Sequence, residues 1–230
     1  MANLGGRKPS FFKLTIGMKM NRLLLEMLYL QGEVNKEKNY NWREKSYPWH
    51  IGIAAELGKV LAELPWKWWV KRESDQEKIL FGVVDIWHFG MSALLQEKMP
   101  PTQIVDKIID SLHAKNKPIR SPVAAIIEAL IHTCSTESFS IPLFCDILRS
   151  LDISVEDLYS RYVGKNALNT LRQVNGFNQG DYREKWGIHS DNHHLTEILL
   201  SVGVETNNFR QMIYDLLSER YEIHCPVEMV

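Results

Sequence analysis

Residues Trp49–Trp69 read WHIGIAAELGKVLAELPWKWW. Periodicity predicts a helix from near Trp49 to near Leu64, where Pro65 blocks continuation. The same helical period extends outward on both sides. Downstream, a helix is expected from about Asp75 to Lys98, stopped by Pro100-Pro101. Thr102 is placed to cap a further helix, Gln103 to His113. Pro118 and Ser121-Pro122 separate that from a buried-looking helix, Val123 to Cys134, and Ile141 to Leu151 is another helical run. Ser154, with Asp157 three residues on, begins a helix running towards Arg172. Asn175-Gly176 and Gln179-Gly180 mark turns, and helices at about 192–202 and 207–220 close the chain. Upstream, Met20, Leu23, Leu24, Met27, Leu28 and Leu30 mark an amphipathic helix continuing to about Asn35. No strand alternation of useful length, internal repeat or low-complexity tract appears. The expected fold class is all-α: one bundle-like domain over residues 19–222, with a basic tail at 1–18 and a short tail at 223–230.

Composition narrows the function classes. The 230 residues are 45% apolar, enough for a proper core, and the formal charge is −1. A near-neutral chain has no global field for nucleic acid or an anionic membrane, so any phosphate affinity is local. No run of 18 apolar residues occurs, and no membrane partner is expected. Cys134, Cys145 and Cys225 share no metal-like spacing and are odd in number, which favours packed thiols in a reducing compartment such as the cytoplasm. The first 25 residues carry Arg7, Lys8, Lys13, Lys19 and Arg22 and no acid, so a mitochondrial address is the alternative. Four of the seven tryptophans lie within Trp49–Trp69 and suit an aromatic wall or a dimer face. Met18, Met20 and Met27 read as core.

The helix pair around Trp49–Leu64 and Asp75–Lys98 can present acids at i and i+3 on facing surfaces. Two such pairs make a four-carboxylate cage for Mg²⁺, which takes oxygen ligands and substrate phosphates. Here the first helix offers Glu56 and then Lys59, and the second offers Gly82 and then Asp85. Two of the four positions are acids, and the ordinary alternative is that Glu56 and Asp85 pair with bases. Glu63, two turns beyond Glu56, is a weaker recruit.

Further on, Tyr162–Tyr182 reads YVGKNALNTLRQVNGFNQGDY. Lys165, Asn166, Asn169, Arg172, Gln173 and Asn175 form a polar run ending in a Gly-rich turn, which suits an anionic, hydrogen-bonding ligand. The competing reading is a polar, capped loop that ties two helices together. His189, His193 and His194 cluster near Asp191 but point different ways on a helix, favouring solvent or capping roles over metal.

The tract Trp49–Trp69, then Asp85-Ile86-Trp87-His88-Phe89, then Gly164-Lys165-Asn166 with Gly180-Asp181-Tyr182 and Asp191-Asn192 resembles the dimeric all-α dUTPases. These belong to the MazG-like NTP pyrophosphatase superfamily, and the resemblance spans about Leu28 to Leu200. It implies a deoxyuridine nucleotide or a similar phosphorylated ligand, Mg²⁺ as cofactor, and a homodimer or a heteromer. In that family, E-x-x-E followed by E-x-x-D binds Mg²⁺ and activates water, giving dUMP and pyrophosphate. Carried onto this chain, the surviving catalytic and metal acids are Glu56 and Asp85, with Lys59 and Gly82 in place of the other two. A register shifted by three residues, pairing Ile53 with Glu56, requires an insertion before Trp66 and still leaves one acid. Gln31 and Asn35 fall where the family reads uracil and sugar, and Trp66 where it lines the site. Tyr162, Lys165, Asn166, Asn169, Arg172, Asn175, Gly176, Gly180, Tyr182 and Asn192 match the segment that closes over the phosphates. Phe177 stands where Tyr is usual, and Asn178 where Lys is usual.

Electrostatics then sets the functional expectation. Glu56, Lys59 and Asp85 together carry −1, against −4 for an intact cage. An ammonium among them opposes a metal ion, since unit charges ~4 Å apart couple at up to ~4 kcal/mol at an effective dielectric of 20. It can instead hold a phosphate directly. The leading expectation is therefore a dUTPase-like nucleotide-binding protein impaired in catalysis. The alternatives are an active dUTP diphosphatase with a rewired Mg²⁺ site, and a structural subunit of a larger assembly.

Overall fold

A computed structural model describes residues 11–69, 73–113 and 122–225, with backbone alone for 11–16. The described residues form α1 (Phe11–Lys38), α2 (Trp49–Glu63), α3 (Gln76–Gln96), α4 (Pro101–His113), α5 (Val123–Cys134), α6 (Ile141–Ser150), α7 (Val155–Val174), α8 (Asp191–Ser201) and α9 (Phe209–His224). The all-α expectation holds. The chain divides into two compact units, Met1–Val155 and Glu156–Val230. The division falls in the first turn of α7, so no linker marks it in the sequence.

In the first unit, α2 and α3 run antiparallel as a tight seam. Trp49 at the start of α2 donates its indole N–H to Gln96 at the end of α3. Midway, a Cβ on Gly52 would lie 3.0 Å from the Phe89 ring, so the missing side chain admits that ring. At the other end Gly82 of α3 abuts Val60 of α2. Asp75 caps α3, its carboxylate accepting from the Lys78 amide N–H at 3.1 Å. The opposite face of α3 enters the core: Trp87 stacks on Phe144 of α6, centroids 5.0 Å apart and planes 10° apart. Leu23, Leu24, Met27 and Leu28 of α1 are buried with them. Among the described residues α3 is the one helix long and apolar enough to cross a membrane, and 67% of its apolar window is buried inside the molecule. A core helix buried on most of its circumference passes that test by composition.

In the second unit, α7 buries Leu158, Tyr162, Leu168 and Leu171. A Cβ on Gly164 would lie 2.9 Å from Leu195 and 3.0 Å from Leu199, so glycine lets α8 lie directly against α7. Gly176 and Gly180, at φ +81° and +85°, supply the left-handed turns that end α7. Lys185–Trp186 pairs antiparallel with His189–Ser190. A two-residue ladder is too short to leave an alternation in sequence, which is why no strand was expected.

Several helix ends differ from expectation. α1 begins at Phe11, inside the stretch read as a basic tail. α4 begins at Pro101, so Thr102 lies within its first turn rather than capping it; proline at the first helical position gives up no hydrogen bond. α9 runs from Phe209 to His224, past the expected end at Arg220. Met18 is 67% exposed, Met20 half-buried and Met27 fully buried, so the reading of all three as core holds for Met27 only. Residues 226–230 of the expected C-terminal tail, and Pro118 and Ser121 of the predicted break, lie outside the described residues.

Candidate functional site

The α2–α3 seam brings together the helix turns that carry the four candidate cage positions. Glu56 and Lys59 are one turn apart on α2, and the Lys59 ammonium donates to Glu56 Oε1 at 2.8 Å. The Glu56 side chain is 13% exposed and that of Lys59 70%, so the lysine reaches back from solvent onto a largely covered carboxylate. That hydrogen bond from Lys59 to Glu56 holds the ammonium pKa above the ordinary lysine value, against a small opposing effect of burial. The charge of Asp85 on α3 adds a smaller pull in the same direction. Asp85 is half-buried.

The fourth position, Gly82, is closed rather than open. Gly82 is buried, and a Cβ built on it would lie 2.5 Å from Val60 Cγ2. The space a third acid would enter is already filled by a valine methyl. For a divalent cation the donor set does not fit: two carboxylates remain, one already satisfied by an ammonium, where Mg²⁺ asks for several hard oxygens in octahedral array. Among the described residues no cluster of three or more His, Cys, Asp or Glu side chains is placed to hold a metal ion.

Gln31 and Asn35, one turn apart on α1, lie in the same unit and are 4% and 6% exposed. Their amides join an internal network of hydrogen bonds. Gln31 Nε2 donates to Asn35 Oδ1 at 2.9 Å and to Ser92 Oγ at 3.1 Å, and Asn35 Nδ2 donates to Ser92 Oγ at 3.0 Å. His88 Nδ1 meets Gln31 Oε1 at 2.9 Å, and Ser92 donates to the His88 carbonyl at 2.9 Å. Such a buried polar cluster fixes α1 against α3. Sequence reading singled out Gln31 and Asn35 but not Ser92, because a lone serine inside an apolar helix carries no signal until its partners are seen.

Trp66 follows α2 and is 44% exposed. Its indole N–H donates to the Leu61 carbonyl at 2.6 Å, and its ring meets Trp69 edge-on at 5.6 Å. Trp68 and Trp69 are exposed beside it, so the WKWW segment forms an aromatic surface.

The remaining candidates lie in the second unit. Lys165 and Asn166 are 9% and 5% exposed on α7. Arg172 near the helix end forms a two-pronged pair with Asp191, the first residue of α8: Nε to Oδ2 at 2.9 Å and Nη2 to Oδ1 at 3.0 Å. Asn169 Oδ1 accepts from Arg172 Nη1 at 3.4 Å. Asp191 is 1% exposed and also accepts from the Tyr182 hydroxyl at 3.0 Å and from Asn192 Nδ2 at 3.2 Å. Burial, then the Asp191 charge and bond, push the Tyr182 hydroxyl well above its ordinary pKa. The fork of Arg172 is thus directed at a carboxylate of its own chain. Asn175 caps α7, its Nδ2 donating to the Leu171 carbonyl at 2.8 Å, and the Gly176 carbonyl accepts from Gln179 and Asp181. Phe177 lies under the Arg172 guanidinium at 5.7 Å.

Arg210, on α9, was not among the sequence candidates. Its Nε donates to Asn166 Oδ1 at 2.6 Å and its Nη2 to Thr170 Oγ1 at 3.0 Å. An arginine forty-four residues away in sequence leaves no motif that pairs it with an asparagine. The histidines pack among themselves: His189 stacks on His193 at 4.2 Å, and buried His194 stacks on Trp186 at 5.0 Å. A pocket of about 250 Å³ opens between the first turns of α7, at Glu156 and Ser160, and the end of α8, at Leu199 and Leu200, and includes none of the sequence candidates.

A dUTPase family model matches residues 23–177. A comparison with curated proteins gives no match. The matched span takes in the Gln31–Asn35 pair, the whole α2–α3 seam and α7 up to the turn at Gly176. With that match over more than half of its length and a helical architecture in keeping with it, the chain belongs to the dUTPase family.

Proposed function

We propose that this protein binds a deoxyuridine nucleotide, or a similar phosphorylated molecule, and hydrolyses it slowly or not at all. The observation that carries the reading is the 2.8 Å ion pair between Lys59 and Glu56. A carboxylate paired with an ammonium is a poorer ligand for Mg²⁺ and a poorer partner for the attacking water, because the fixed positive charge opposes the ion and engages one of the two oxygens. The methyl of Val60 against Gly82 supports the same reading, since it fills the place of another acid. The ammonium itself suits a phosphate oxygen: it is largely exposed, fully charged and mobile on a four-carbon stem. Lys165 and Asn166, considered by themselves, lie in a segment that matches the family's phosphate-closing motif. A homodimer is the assembly this family membership favours.

The exposure of Lys59 gives one specific ground for a second reading, an active dUTP diphosphatase. A lysine 70% in solvent can swing off Glu56 at small cost and leave Glu56 with Asp85 for a single ion. Calorimetry with a non-hydrolysable dUTP analogue separates the two. Binding of equal strength with and without Mg²⁺ is expected. Binding that appears only with Mg²⁺ favours the active enzyme, and no binding in either condition overturns the nucleotide-binding proposal.

A further inference from the structure

The geometry points to Arg210 as a positioning residue that locks the Asn166 amide with its N–H₂ arm turned towards the phosphorylated ligand. This rests on the nucleotide-binding reading and names a residue beyond the matched family span.

An asparagine amide has one accepting and one donating arm, and its orientation decides what it offers. Arginine has donors only, so the arm of Asn166 that lies 2.6 Å from Arg210 Nε is necessarily the carbonyl oxygen. Thr170 closes the arrangement: its hydroxyl accepts from Arg210 Nη2 at 3.0 Å and donates to the Asn166 backbone carbonyl at 3.1 Å. Asn166, Thr170 and Arg210 thus form a ring of hydrogen bonds spanning one turn of α7 and the first turn of α9. The ring fixes χ2 of a residue that is 5% exposed, and the Nδ2 donors are held on the opposite arm. A pre-oriented N–H₂ presents donors only, the complement of phosphate oxygens or a pyrimidine carbonyl, which accept. Without Arg210 the amide is free to rotate by half a turn and offer its oxygen instead, repelling the same ligand.

Three variants test this by calorimetry with the non-hydrolysable dUTP analogue. Arg210→Leu is expected to weaken binding about tenfold, the scale of one hydrogen bond to a charged group. Arg210→Lys, which still donates to Asn166, is expected to recover most of that loss. Asn166→Asp keeps an acceptor for Arg210 and so keeps the thermal midpoint, yet exchanges the donors for a negative charge; its binding is expected to fall further than that of Arg210→Leu. In ¹⁵N spectra the Asn166 side-chain N–H₂ pair is expected to shift on adding the analogue to the unaltered protein, and to broaden in Arg210→Leu. Unchanged affinity in Arg210→Leu overturns the inference alone. So does Asn166→Asp binding as tightly as the unaltered chain. Absence of binding by the unaltered chain overturns the nucleotide reading and this inference with it.

Discussion

Val60 Cγ2 lies 2.5 Å from the point that a Cβ on Gly82 would occupy. Real Cβ atoms do not approach a methyl carbon so closely, so the glycine and the valine are complementary halves of one contact in the α2–α3 seam. Restoring an acid at position 82 therefore requires more than a single substitution. Gly82→Glu is expected to lower stability by at least about 1–3 kcal/mol, the usual cost of overpacking, before the cost of covering a carboxylate is added. Val60→Ala in the same chain removes the obstructing methyl and is expected to return part of that loss. Chemical denaturation of the two variants and the pair measures it; additive losses would contradict the contact.

Asp191 holds the second unit's polar end together, accepting from Arg172 twice and from Tyr182 once while 1% exposed. Asp191→Asn leaves a half-buried guanidinium without its counter-charge. A loss of about 3–5 kcal/mol is expected, the range for breaking one side of a buried pair. Arg172→Leu/Asp191→Leu removes both charges and is expected to cost less than Asp191→Asn alone. Urea midpoints for the three chains check the order.

The fold was legible because its evidence is periodic. Apolar spacing and the prolines at 65, 100, 101 and 122 bracket α2 to α5, and no β segment long enough to alternate competes with them. Glu56, Lys59, Gly82 and Asp85 were likewise legible as one group, since one-turn spacings on two neighbouring helices meet when the helices pair. What remained hidden is what each side chain touches. Sequence gives Arg172 as part of a polar run suited to an anionic ligand, while its partner Asp191 lies nineteen residues on, beyond two turns. It gives Gly82 only as the replacement of an acid, because Val60, twenty-two residues earlier, becomes its neighbour only once α2 and α3 are in register. It gives Gln31 and Asn35 as candidate ligand readers, and only the packing of α1 on α3 reveals Ser92 and His88 between them.

His194 predicts a pH dependence. Burial lowers its pKa below the ordinary 6.5, the Trp186 carbonyl at 3.1 Å pulls it up, and His224 and Arg220 push it down. Glu197 opposes them with a weak upward pull, and His189 and His193 flank the same ring. The folded protein therefore binds this proton less readily than the unfolded chain. Stability from this group is fully present above pH 6.5 and is lost as pH falls from there through the lower folded value. The thermal midpoint is expected to fall between pH 7 and pH 5, and to fall less in His194→Gln. A His194 ring resonance titrating above 6.5 would contradict the assignment.

The most direct test is pyrophosphate release from dUTP with Mg²⁺, followed for the unaltered protein beside Lys59→Glu/Gly82→Glu/Val60→Ala, which restores both acids and clears the methyl. Release at background from the unaltered protein, with a rise in the triple variant, is the predicted result. Robust Mg²⁺-dependent turnover by the unaltered protein would contradict it, because a Glu56 held by Lys59 could not then be what limits the chemistry.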